Sequence, residues 1–253
     1  MSPIISQQIE LELGNIGALT ISPDGRRLYV GRHSSEDQTR ENIAVFTIDP
    51  ESGALSNKRL YRDSDQPLPL TYTTSKPSLR PRAVVTSLLV APRYRKLYIG
   101  TRLEDTAIRP AYLLSIYDLD DAGEILPETL RSYRAIADNL PNPIGIQCMA
   151  MHPQRDMLYM AGGAWNAVRF YQLNAQGEPL GTAPTAVTIN GNPKTSIAIS
   201  PDGSRMYLGT APATLQIVAL VEGVPQNPPL RSLQVPELAL ADAYLRFVHT
   251  PQA

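Results

Sequence analysis

The chain has a single cysteine, Cys148, in 253 residues, so it forms no internal disulfide, and paired-cysteine metal spacings are absent. It has no excess charge of either sign: its formal net charge is -1, and no overall field draws it toward nucleic acid or anionic lipid. It has no run near the roughly 18 uninterrupted apolar residues of a membrane helix. Its first residues, "MSPIISQQIELEL", lack the basic start and apolar stretch of a signal peptide. No dinucleotide, phosphate-loop, nucleophile-elbow, zinc-protease or calcium-loop pattern occurs in a catalytic context. From these absences we expect a soluble, cytoplasmic protein with no nucleic-acid or membrane partner, no cofactor and no metal.

What is present reads as β-structure. Hydrophobic residues make up 43% and charged residues 19%, which suffices to bury a core. The 23 prolines are spread along the chain rather than massed in a linker. Proline lacks a backbone donor and suits strand ends and turns, so many short Pro- and Gly-bounded segments argue for strands.

One hairpin recurs four times: "LTISPDGRRLYVG", "LLVAPRYRKLYIG", "MAMHPQRDMLYMAG" and "IAISPDGSRMYLG". Each copy holds proline six residues before tyrosine: Pro23/Tyr29, Pro92/Tyr98, Pro153/Tyr159 and Pro201/Tyr207. Asp24-Gly25 and Asp202-Gly203 are turn dipeptides, whereas the second and third copies need turns of another build. After each hairpin come a third alternating run ("IAVFTID", "LLSIYDL", "VRFYQL" or "LQIVALVEG"), a polar turn and a fourth strand. Four antiparallel strands per repeat are the composition of a propeller blade. The repeat tyrosines are expected in the core between blades.

The stretch "VTINGNPKTSIAISPDGSRMYLGT" resembles the repeat of YVTN-type propellers and of the lactonase family, which includes 6-phosphogluconolactonases. The resemblance runs from about Ile9 onward and implies an all-β propeller of four-stranded blades. Blades are expected at about 18–60, 87–137, 147–189 and 195–235, with a partial fifth at 237–250 and an outermost strand in "QQIELEL". The family's seven blades do not fit this length. The chain is then a single propeller domain over 1–253 or part of a longer propeller, and open blade edges would favour self-association.

In this strand order, loops entering each first strand share a face with those joining the second and third strands. That face gathers Arg32, His33 and Arg40 from the first repeat, and Arg80, Arg82, Arg102 and Arg109 from the second. The third repeat adds Asn142, Gln147, Trp165 and Asn166; the fourth adds Asn192 and Lys194. Arginine pairs bidentately with carboxylate and phosphate, so an anionic small molecule or a protein partner is expected there.

The resemblance implies an Arg-His pair opening a first strand, but Gln147 and Cys148 stand in the best-matching copy. The other copies show Gly17-Ala18, Thr86-Ser87 and Thr195-Ser196. His33, in "GRHSSEDQTRE", is then the candidate base, while His152, beside the repeat proline, reads as a turn cap. Two functions follow: a non-catalytic binding scaffold with a basic mouth, favoured by the missing pair, or a lactone hydrolase of the 6-phosphogluconolactonase-like type with an altered site.

Overall fold

The computed structural model describes residues 16–32, 41–62, 82–104, 112–136, 145–162, 166–189, 194–210 and 214–234. The chain divides into two compact units, Met1–Gly145 and Ile146–Ala253. The first unit holds two four-stranded sheets. One is β1 (Ile16–Ile21), β2 (Arg27–Arg32), β3 (Ile43–Ile48) and β4 (Leu55–Tyr61); the other is β5 (Arg82–Ala91), β6 (Lys96–Glu104), β7 (Tyr112–Asp118) and β8 (Arg131–Ile136). The second unit holds β9 (Cys148–Met151), β10 (Met157–Ala161), β11 (Ala167–Gln172) and β12 (Thr185–Thr188). Its other sheet is β13 (Lys194–Ile199), β14 (Arg205–Thr210) and β15 (Thr214–Val221), with β16 (Val224–Pro225) and β17 (Arg231–Gln234) both pairing with β15. Sequential antiparallel order makes each sheet a propeller blade. The expected fifth repeat and the strand in "QQIELEL" lie outside the described residues.

The turns form because local side chains satisfy the backbone. In the first repeat the Ser22 hydroxyl accepts the Arg27 N–H at 2.8 Å and donates to Asp24 at 2.5 Å. Ser200 and Asp202 repeat the arrangement at 3.0 and 2.5 Å. Gly25 and Gly203 close these turns at φ +71° and +70°, where a Cβ would strain the backbone. The second repeat instead uses a 3-10 turn, Pro92–Tyr94, with Arg95 in the left-handed region. On the other hairpins, Asp49, Asp120 and Asn174 each accept backbone N–H groups two to four residues onward.

Within each unit a buried tyrosine ties one sheet to the next. The Tyr29 hydroxyl donates to the Gly123 carbonyl at 2.5 Å, and Tyr159 donates to Gly223 at 2.6 Å. Burial pushes both phenol pKa values well above their usual range, so both remain donors. An ion pair flanks each bond, Arg27 with Glu124 and Arg155 with Glu222, both at 2.7 Å. Aliphatic side chains fill the space around them. Ile43 and Val45 meet Val85, Leu97 and Ile99 in the first unit; Val168 and Phe170 meet Met206, Leu208 and Val218 in the second. Gly31 permits the close approach, since a Cβ there would lie 2.2 Å from Val85 Cγ1.

Tyr29, Tyr98 and Tyr159 are fully buried, but Tyr207 is only half-buried, as are its sheet neighbours Leu215 and Ile217. A following sheet covers Tyr29 and Tyr159; none is among the described residues beyond β17. We expect Tyr159→Phe to cost about 1–3 kcal/mol in urea unfolding, because it strands the Gly223 carbonyl. A change within about 0.5 kcal/mol, as at an ordinary surface site, would show that the hydroxyl does not couple the sheets.

Candidate functional site

The first strand of three sheets carries a bulge at the same repeat position. Pairing passes from Ile16 to Ala18, from Val85 to Ser87 and from Lys194 to Ser196, leaving Gly17, Thr86 and Thr195 as the extra residues. Gln147 occupies this position in the third sheet: its N–H donates to the Ala161 carbonyl at 2.9 Å, while Cys148 is the residue opposite Ala161. A bulge takes one residue out of the in-out alternation and re-aims its side chain. These are the positions where the resemblance implied an Arg-His pair.

Two polar atoms there are buried with no hydrogen-bond partner: Gln147 Oε1 and Ser196 Oγ. Ser196 is 7% exposed and aligns with Cys148 in the repeat. The two residues open β9 and β13, first strands that lie against each other in the second unit. In the first unit the equivalent Thr86 hydroxyl donates to the Gly100 carbonyl at 3.2 Å. The Cys148 thiol donates to the Ala161 carbonyl at 3.7 Å. Ser196 was visible in the sequence only as the counterpart of Cys148, and its lack of a partner was not.

The remaining expected residues are dispersed or undescribed. Arg32 ends β2, is 6% exposed, and its N–H donates to the Asn42 carbonyl at 2.9 Å. Arg82 and Arg102 sit on β5 and β6 opposite Glu104 and Val84, and Lys194 opens β13 opposite Thr210. Asn166 is exposed, and its carbonyl accepts the Ile189 N–H at 2.8 Å. His33, Arg80, Arg109 and Trp165 lie outside the described residues. Among the described residues no group of three His, Cys, Asp or Glu side chains is placed to hold a metal.

The other end of the strands is structural. A cleft of about 570 Å³ in the second unit is lined by Arg155, Met157, Gln172, Leu180 and Glu222, at the turn end and away from Gln147. Its rim charges pair with each other. Lys96, buried on β6, meets Asp118, which also takes a bidentate Arg131 at 3.0 Å. Burial works against the Asp118 carboxylate, but Lys96 and Arg131 overcome it and hold its pKa below the usual range.

His152 caps its turn. Its Nδ1 accepts the Gln154 and Arg155 N–H groups, both at 3.1 Å, and its Nε2 donates to the Gly203 carbonyl at 3.1 Å. The imidazole does for the third repeat what the Ser22 and Ser200 hydroxyls do for the first and fourth.

No family model and no curated protein matches the sequence. Solved structures do match in fold. A Bacteroides uniformis protein described as a 6-phosphogluconolactonase has TM-score 0.57 and 14% identity over 88% of this chain and 58% of its own. The periplasmic gluconolactonase of Pseudomonas aeruginosa has TM-score 0.62 and 17% identity over 87% and 57%. The chain has the lactonase-type propeller fold. Hydrazine synthase of Kuenenia stuttgartiensis also matches, with TM-score 0.51 and 14% identity over 91% and 52%, so lactonase-type blades are not confined to lactonases. The chain spans less than two thirds of the length of each of these proteins.

The His152 geometry sets a pH response. Burial holds its pKa below the ordinary 6.5, because a charged ring would lose water and its Nδ1 acceptor role. On acidification the unfolded chain takes this proton first, so stability is complete above 6.5 and falls as pH drops toward the lowered value. Urea titrations from pH 7.5 to 5 are expected to show that loss, and His152→Ser to flatten it. An equal slope in both proteins would assign the response to other groups.

Proposed function

We propose that the protein hydrolyses a sugar lactone. The observation that carries this is its match, over 87–88% of the chain, to two proteins described as a gluconolactonase and a 6-phosphogluconolactonase. Fold alone does not assign chemistry, and the scaffold reading draws no support from the same comparisons.

Lactone opening needs a group that takes a proton from water and groups that hold the ring. Neither Gln147 nor Cys148 replaces an Arg-His pair in proton transfer: a carboxamide does not titrate near neutrality, and the thiol is turned to a backbone carbonyl. His33 is the candidate base in this reading, and Gln147 a ring-holding group. The basic residues of the same face support an anionic substrate or protein partner as a further possibility for binding, and the cysteine count and N-terminal sequence support a cytoplasmic setting. The Pseudomonas relative is described as periplasmic, so cell fractionation decides the setting.

The test is hydrolysis of D-glucono-1,5-lactone, corrected for spontaneous opening. We expect turnover above background, lowered about 10²–10⁴-fold in His33→Ala, the range for loss of a general base. Hydrolysis that survives His33→Ala would move the base elsewhere. No hydrolysis of any aldonolactone would overturn the enzyme reading.

A further inference from the structure

We infer that the Gln147–Ser196 end of β9 and β13 is a subsite for the hydroxyls of a neutral sugar ring, and that it selects against the phosphorylated ring. The inference rests on the lactonase reading for the identity of the ligand as a sugar. Its physical basis is independent of that reading. Gln147 Oε1 and Ser196 Oγ are both withdrawn from water and both lack a hydrogen-bond partner within the protein. A buried polar atom without a partner is costly, and native structures rarely keep one that nothing outside the chain satisfies.

The chemistry of these atoms narrows the ligand. A carboxamide oxygen only accepts, so its partner must bring a proton. A serine hydroxyl both gives and accepts. A sugar hydroxyl satisfies the two together, donating to Gln147 and exchanging with Ser196. A phosphate or carboxylate brings lone pairs to the Gln147 oxygen and is repelled. Anion recognition uses arginine forks or clustered N–H donors, and the bulge positions carry Gly17, Thr86, Gln147 and Thr195 instead. The bulges make the placement consistent, since all four repeats re-aim the residue at this position, directly before Ala18, Ser87, Cys148 and Ser196. Of the two substrates named by the structural relatives, gluconolactone and its 6-phosphate, the site therefore fits the unphosphorylated one.

The experiment pairs calorimetric binding with kinetics on the full chain. The probes are D-glucose and D-glucose 6-phosphate for binding, and the two corresponding lactones for turnover. We expect glucose to bind more tightly than its phosphate. Gln147→Leu and Ser196→Ala should each weaken glucose binding about three- to tenfold, the usual range for one neutral hydrogen bond, and leave the urea midpoint unchanged or raised. Gln147→Arg should reverse the preference toward the phosphate. Tighter binding of the phosphate by the wild-type chain overturns the inference. So does unchanged glucose binding in both Gln147→Leu and Ser196→Ala, which would leave a trapped water as the partner of both atoms. Glucose preference without lactone turnover keeps the subsite and sinks only the hydrolase reading; turnover with a phosphate preference does the opposite.

Discussion

A hydroxyl donated from one sheet to a glycine carbonyl of the next is the constraint on which each unit depends. Blades are amphipathic plates, and apolar packing holds them together without fixing their register. The Tyr29–Gly123 and Tyr159–Gly223 bonds supply direction at one point of each interface. The hydroxyl reaches a carbonyl at the tip of a turn only if the turn has the right height and the second strand the right offset. That requirement explains why proline stands six residues before tyrosine in every repeat: the proline sets where the hairpin turns, and the tyrosine measures the distance back to the neighbouring sheet.

The turns show how one geometric demand is met by different chemistry. The first and fourth repeats use serine and aspartate with a glycine at positive φ. The third uses an imidazole that also reaches the Gly203 carbonyl, so the turn cap doubles as an inter-sheet bond. A Cβ on Gly203 would lie 2.3 Å from His152 Cε1, so that glycine serves both its own turn and the neighbour's cap. Substituting histidine for serine thus adds a link between sheets and ties the fold to pH.

The fold was legible because its determinants are local and repeated. "SPDG", the Pro–Tyr interval and the alternating runs each describe a hairpin that forms from its own residues, and the strands follow them closely. The insulation of Tyr207 was not legible, since it depends on which sheet follows the fourth. The candidate site was read less well for a different reason. Charge in loops stands out in a sequence, so Arg32 was placed on a basic rim, whereas the structure buries it at the end of β2. A bulge leaves no composition signature when the extra residue is glycine in one copy and threonine or glutamine in others.

Those bulges separate what the architecture supplies from what the residue supplies. The backbone offers the same re-aimed position in each sheet, and its chemistry is free to change because the packing lies on other residues of the strand. Arginine and histidine there would make a site for anions and proton transfer. Glutamine followed in the next strand by serine gives acceptors and a hydroxyl, which suit a ring of alcohols and leave the proton transfer to a loop. Two proteins with this blade fold can therefore share a scaffold to within the TM-scores seen here and still differ in whether phosphate is welcome.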